Sequence, residues 1–302
     1  MATRNYVEAS RLGGKLAENA FDDDFDLFTT VVTAKLLAGD AKGAVPVAER
    51  LLQRDPYGWQ SNRLAALVFS RGGQAERGEK MMTDIAKRYP RESSFKNQLA
   101  EARLNAGLIA AAEAPAREAL ALDPKVPENH ALLGNILVRL DRYHEAVTAF
   151  GESVRLNPTR ADNWNSLALA LDRDKQAKDA IAAAERASAL APNSPLFSAN
   201  LGFLLMKSHQ WAPSTTAFRR AVNIKADEAP WWNNLGITLL QQKKNKDAVM
   251  AFETAAKLAP QSRAMWQNLA ESLRLAGNAA RAQVAIEKAR TLPRDQEVLL
   301  FK

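Results

Sequence analysis

A chain of 302 residues with 47% hydrophobic and 25% charged residues has the balance of a folded protein. It has no cysteine, which excludes a disulfide framework, a thiolate metal site, a cysteine nucleophile and a lipidated N-terminal cysteine. The net charge of +7 is spread along the chain, with "KKNK" at 243–246 its densest run. A phosphate-binding groove needs clustered positive charge, so nucleic acid is not the expected partner.

In chain order, the N-terminal 24 residues come first. They lack the apolar stretch of a secretory signal. No run anywhere reaches the ~18–20 apolar residues of a membrane span, so a cytoplasmic protein is expected. Residues 5–20, "NYVEASRLGGKLAENA", predict an amphipathic capping helix that Gly13 and Gly14 weaken. The acidic run "FDDDFD" (21–26) reads as a solvated helix N-terminus in preference to a metal site.

From Phe25 the sequence repeats every 34 residues without insertion or deletion, through units starting at Phe25, Trp59, Ser93, Pro127, Ala161, Pro195, Ala229 and Arg263. Position 7 is Val31, Ala65, Leu99, Leu133, Leu167, Leu201, Leu235 and Leu269. Position 8 is small in all units except the first, where it is Val32, and includes Gly134, Gly202 and Gly236. Position 20 is always small, from Ala44 and Gly78 to Ser214 and Ala282. Position 32 is Pro56, Pro90, Pro124, Pro158, Pro192 and Pro260 in six units. Apolar residues at 4, 7, 8 and 11 predict one helix face, and those at 20, 24 and 27 a second. Small residues at 8 and 20 let the two backbones approach, and the proline stops the second helix. A two-helix unit cannot bury its apolar face alone, so units must stack.

The segment "NHALLGNILVRLDRYHEAVTAFGESVRLNP" (129–158) and its seven counterparts resemble the tetratricopeptide repeat family. The resemblance implies an all-α, right-handed α-solenoid (a superhelix of stacked antiparallel helix pairs) over residues 25–296, with a capping segment at 1–24 and a tail at 297–302. The fit is weakest in units one to three, where position 4 is Phe28, Asn62 and Lys96. There Pro46 and Pro115 predict late starts or kinks in the second helices.

Trp164, Trp232 and Trp266 all occupy position 4, where the family packs a large side chain between the two helices, so core packing is expected of them. Trp231, Trp59 and Trp211 read as packing too. Position 6 carries Asn200, Asn234 and Asn268 in three successive units. Positions 2, 5, 6, 9, 12 and 13 of a first helix share the face that lines the concave groove in tetratricopeptide solenoids. The row resembles the asparagine ladder of the protein glycosyltransferases that transfer N-acetylglucosamine, which implies amides offered to an extended peptide backbone. A pattern inherited with the family is the alternative. Flanking candidates are Asn165 and Asn233 at position 5 and Asn135 and Glu271 at position 9; Arg139, Arg173 and Lys207 at position 13 form a candidate basic stripe. The carboxylate clamp of some members is not reproduced, because Leu67 follows Arg63 and Glu128 and Leu132 stand where two cations belong.

His130, His144 and His209 fall at three different positions of the repeat and share no metal-ligand spacing; no phosphate loop or nucleophile motif occurs. No catalytic residue, metal or cofactor is expected. The expected function is a protein-binding scaffold for proteins or peptides. Alternatives are a targeting subunit of a glycosyl- or sulfotransferase-type complex and an RNA-binding solenoid. The apolar group Val298–Phe301 either folds over the last repeat or offers a docking point, and oligomers through the ends are open.

Overall fold

The computed structural model of the protein describes residues 25–293, which divide at Asn157/Pro158 into two compact units. The capping segment 1–24, the tail 297–302 and the acidic side chains of 21–26 lie outside the described residues. Among the described residues every regular element is an α-helix. The N-terminal unit comprises α1 (Phe25–Leu37), α2 (Ala41–Arg54), α3 (Trp59–Arg71), α4 (Ala75–Arg88), α5 (Ser93–Asn105), α6 (Ile109–Leu122), α7 (Pro127–Arg139) and α8 (Tyr143–Leu156). The C-terminal unit comprises α9 (Ala161–Arg173), α10 (Ala177–Leu190), α11 (Pro195–Lys207), α12 (Trp211–Ile224), α13 (Ala229–Gln241), α14 (Asn245–Leu258), α15 (Arg263–Leu275) and α16 (Ala279–Thr291). Within each unit every helix packs on the next, and each first helix also touches the first helix of the following repeat. Each unit is therefore an α-solenoid of helical pairs.

The turn inside each pair has one conformation. Position 15 is left-handed in all eight repeats: Gly39, Gly73, Gly107 and Gly277 have φ of 77°, 94°, 75° and 79°, and Asp141, Lys175, His209 and Lys243 have 58°, 64°, 58° and 60°. The next residue's N–H then returns to a carbonyl five residues back, as in Gln74 to Phe69 (3.0 Å), Gln176 to Leu171 (2.8 Å) and Asn278 to Leu273 (2.9 Å). This closes the helix end in a Schellman-type cap. Four repeats reach it without glycine, at a steric cost that Cβ brings to left-handed backbone.

Inside three pairs the two helices share a tightly filled volume between positions 8 and 24. A Cβ on Gly134 would lie 2.9 Å from the Phe150 ring, one on Gly202 3.0 Å from Phe218, and one on Gly236 2.7 Å from Phe252. The three phenylalanines are 1% exposed, so each ring fills the space its glycine leaves. Elsewhere the pairing varies: Ala66 faces Met82 in register, Ala270 faces Ile286 and the exceptional Val32 stands against Ala48, while Ala100 with Ala116 and Ala168 with Ala184 keep both positions small. Val32 against Ala48 thus places the larger residue on the first helix instead of the second.

The position-4 tryptophans Trp232 and Trp266 pack on the core, against the cluster around Phe252, and with Trp164 they have a second role. Trp164, Trp232 and Trp266 are only half-buried. Each indole N–H donates to a position-32 carbonyl six residues earlier: Pro158 (2.9 Å), Ala226 (2.7 Å) and Pro260 (3.0 Å). Asn62 donates likewise to Pro56 (2.9 Å), and His130 Nε2 lies 2.8 Å from the Pro124 oxygen. In these five repeats position 4 thus ties the first helix to the turn that precedes it. Where position 4 of the sixth repeat is Ser198, the Pro192 carbonyl is instead taken by Arg220 (2.6 Å).

Neither proline inside a second helix delays the start of that helix. α2 and α6 both run 14 residues with Pro46 and Pro115 in their interiors. Proline leaves the carbonyl four residues earlier without its helical donor. For Pro115 that carbonyl belongs to Ala111, and Arg103 Nη1 reaches across from α5 to supply the bond at 2.9 Å. The second helices are further joined by ion pairs from position 25 of one repeat to position 19 of the next. Glu49 pairs with Arg77, Arg117 with Glu145 and Glu253 with Arg281.

Two stability outcomes are expected. Gly236→Ala should destabilise by about 1–3 kcal/mol through overpacking against Phe252, although alanine in a helix ordinarily gains about 1 kcal/mol over glycine. Urea unfolding of Gly236→Ala, Phe252→Leu and the double variant should show Phe252→Leu costing less in the alanine background. Lys175→Gly relieves a strained left-handed residue and should raise stability by about 0.5–1 kcal/mol. Gly277→Ala should lower stability by a similar amount, and a thermal melt reads both.

Candidate functional site

The asparagines of the first helices are best followed through one register, an offset of 35 residues from position 5 of one repeat to position 6 of the next. In the C-terminal unit Asn200 Nδ2 on α11 donates to Asn165 Oδ1 on α9 at 2.9 Å, and Asn268 Nδ2 on α15 donates to Asn233 Oδ1 on α13 at 2.7 Å. Asn165 and Asn233 are 9% and 3% exposed, so these two are buried acceptors and do not present free amides to a groove. Asn200 and Asn268 are half-buried. Two of the three ladder residues therefore clasp adjacent first helices.

Asn234 is placed differently. The same offset puts Ala199 opposite it, and alanine offers no acceptor. Asn234 is 4% exposed and makes no side-chain hydrogen bond among the described residues. Its amide atoms are not sealed either: the sealed, unpartnered side-chain atoms among the described residues are Arg63 Nε, Ser70 Oγ and Gln98 Oε1. What exposure Asn234 keeps therefore lies at its amide. In the N-terminal unit the same offset relates Arg63 to Gln98, the very residues whose Nε and Oε1 are sealed without partners.

The cationic candidates separate as well. Arg173 is exposed and forms no ion pair among the described residues, whereas Lys207 pairs with Asp172 and lies 5.6 Å from the centre of the Phe203 ring. Arg139 and Asn135 are exposed on α7 of the N-terminal unit. Glu271 is bonded by Arg274 at 2.7 and 2.9 Å, which holds its carboxyl below the usual carboxylate range.

Position 9, searched in the sequence for polar groups, carries the feature that was missed. In three consecutive repeats of the C-terminal unit it is Leu169, Phe203 and Ile237. Leu169 is 40% exposed and the other two are half-buried. Residues three apart on a helix are surface neighbours, so this apolar row runs beside Asn200 and Asn234. The signal was present in the 34-residue register as a column of large apolar residues at position 9. Among the described residues no group of three His, Asp or Glu side chains could hold a metal ion, and no helix is long and apolar enough to cross a membrane.

The sequence profile described as Tetratricopeptide repeat matches residues 63–127, 132–195 and 216–293, most of the chain. The chain belongs to the tetratricopeptide repeat family. Among solved structures it is similar to YrrB, described as a tetratricopeptide protein with an unusual peptide-binding site, at 20% identity over 59% of this chain and 92% of that one, with a TM-score of 0.54. It is similar also to PilF of Pseudomonas aeruginosa (17% identity, 69% of this chain and 94% of that one, TM-score 0.55) and to MamA of Desulfovibrio magneticus RS-1 (23%, 56% and 95%, TM-score 0.53). At these identities the likeness is one of fold. No curated protein matches the chain.

The clasps make a testable distinction among the asparagines of this tetratricopeptide array. Asn268→Ala should cost about 1 kcal/mol, and a double-mutant cycle with Asn233→Ala should return a coupling of about 0.5–1.5 kcal/mol. Asn234→Ala removes a buried group that has no partner, so chemical unfolding should find it neutral or slightly stabilising.

Proposed function

We propose that the chain is a non-catalytic scaffold that receives segments of partner proteins on the first-helix face of its C-terminal unit. The observation that carries this reading is the apolar row of Leu169, Phe203 and Ile237 beside Asn234, whose amide has no protein partner among the described residues. Apolar surface left in water costs solvation, and a bound segment that covers Leu169 and the outer parts of Phe203 and Ile237 repays it. The peptide-binding description of YrrB supports the same class of ligand. Tetratricopeptide membership supports a binding role over catalysis, although fold alone does not assign a function.

The ladder enters this proposal unevenly. Asn234 is the residue free to contact a partner directly. Asn200 and Asn268 act through the clasps that set the spacing of the first helices, and Arg173 is the unpaired cation at the edge of the face.

The test is capture from native lysate with wild type beside Phe203→Ser and Asn234→Ala variants of unchanged helicity. Partners held by wild type should fall at least tenfold in recovery with Phe203→Ser. Equal recovery with both variants would place binding off this face and defeat the proposal.

A further inference from the structure

We propose that the C-terminal unit docks on the surface of an anionic lipid bilayer, through the edge formed by the turns inside its fifth, sixth and seventh repeats. The positive charge that is dispersed along the sequence is gathered there by the fold. Positions 12–18 of these repeats carry Arg173, Lys175, Lys178, Lys207, Lys243, Lys244 and Lys246, all exposed, against Asp172 and Asp174. The equivalent turns of the first three repeats carry acids and bases in equal number, and the fourth has Arg139 and Arg142 against Asp141. The opposite edge of the same three repeats, at positions 30–34, carries Lys225 against Asp227 and Glu228.

The three turns form one continuous edge. Lys207 pairs with Asp172 across the fifth and sixth repeats, and Gln242 Nε2 donates to the Trp211 carbonyl at 3.1 Å across the sixth and seventh. Left-handed backbone at Lys175, His209 and Lys243 gives the turns one conformation, so equivalent positions project alike. Lys207 is matched with Asp172, and Asp247 is drawn to Arg219 on α12 at 3.5 Å. The other six cations outnumber Asp174 and Asp179, the remaining acids nearby. Among the described residues Arg173, Lys175, Lys178, Lys243 and Lys246 form no ion pair, and Lys244 donates to the neutral amide of Gln242 at 3.0 Å.

Stability does not account for these placements. Position 15 is glycine in four repeats, yet Lys175 and Lys243 hold its left-handed backbone with a Cβ. Lys178 and Lys246 lie in the first turns of α10 and α14, and Lys244 is the N-cap of α14 without a capping bond. A cation at a helix N-terminus opposes the helix dipole. Strained and electrostatically unfavourable positions gathered on one edge point to a ligand that repays them.

The chemistry of the edge selects that ligand. Among the described residues none of the exposed large apolar side chains lies in these turns, so a protein partner finds no apolar anchor. Trp211 is half-buried and meets the His209 ring edge-on at 5.1 Å, which leaves no row of stacking platforms for single-stranded nucleic acid. Six of the seven cations are lysines, point charges without the guanidinium fork that grips single phosphates of a duplex. A bilayer surface requires neither anchor, platform nor fork, and its diffuse negative potential attracts clusters of roughly four to eight basic residues.

The experiment is co-flotation of the full chain with vesicles of phosphatidylcholine, alone or containing phosphatidylserine. Wild type should bind the phosphatidylserine vesicles and not those of phosphatidylcholine, with affinity falling at least tenfold between about 50 and 300 mM salt. The variant Lys175→Gly/Lys243→Gly/Lys244→Gln/Lys246→Gln should lose at least tenfold in affinity. Its melting temperature should equal or exceed that of wild type, because it also relieves the two left-handed lysines. A control that removes as many cations from the N-terminal unit, Lys80→Gln/Lys87→Gln/Arg91→Gln/Lys125→Gln, should lose less than threefold. Equal losses in the two variants would assign binding to net charge and overturn the edge as the site. Wild type that floats with both vesicles alike, or with neither, would overturn the lipid assignment. Binding of a DNA or RNA duplex in place of the vesicles, lost in the same variant, would overturn it in favour of nucleic acid. The variant spares Leu169, Phe203, Asn234 and Ile237, so the lysate capture above tests the scaffold reading separately.

Discussion

The volume shared by positions 8 and 24 is the constraint on which the rest of the structure depends. It sets how closely the two helices of a repeat approach, and that distance sets where every other position points. Glycine against phenylalanine, alanine against methionine or isoleucine and valine against alanine fill this space in six repeats, and alanine stands on both sides in the other two. Because interiors are packed to crystal-like density, neither member can change alone without strain or a cavity. The left-handed residue at position 15 holds the same geometry from outside the core by fixing the turn.

With the pair geometry fixed, contacts between successive repeats inherit a constant offset. Position 25 of one second helix meets position 19 of the next in ion pairs on the surface, which individually contribute little. Position 5 of one first helix meets position 6 of the next, and there asparagine can bond asparagine in a partly buried setting. The same offset that closes Asn165 on Asn200 and Asn233 on Asn268 leaves Asn234 over an alanine. A packing rule joins the helices by a hydrogen bond at two joints and leaves Asn234 without a protein partner at the one between them.

The position-4 tryptophans show that size alone tells half of a side chain's role. Trp232 and Trp266 pack against the core as their bulk suggested, and each indole N–H of the three also finds an acceptor in a carbonyl beyond the end of the preceding second helix. That requirement holds the ring at the surface edge of the repeat, half in contact and half in water. Asparagine or histidine can substitute because the hydrogen bond, more than the ring, is what the position supplies.

The helical pairs, their boundaries in the described residues and their family were legible in the sequence, because a 34-residue period with small residues at 8 and 20 admits one way to pack two helices. The roles of the asparagines were not, because a period shows which residues share a face and does not show what each faces on the neighbouring helix. Whether Asn233 is a free amide or a buried acceptor depends on a residue 35 positions away. The sequence likewise marked Pro115 as a breaker, and only the packing of α5 on α6 brought Arg103 to the orphaned carbonyl. Local pattern by itself determined the repeat. The offset between repeats, a product of three-dimensional packing, decided which asparagines join neighbouring first helices and which has no partner there.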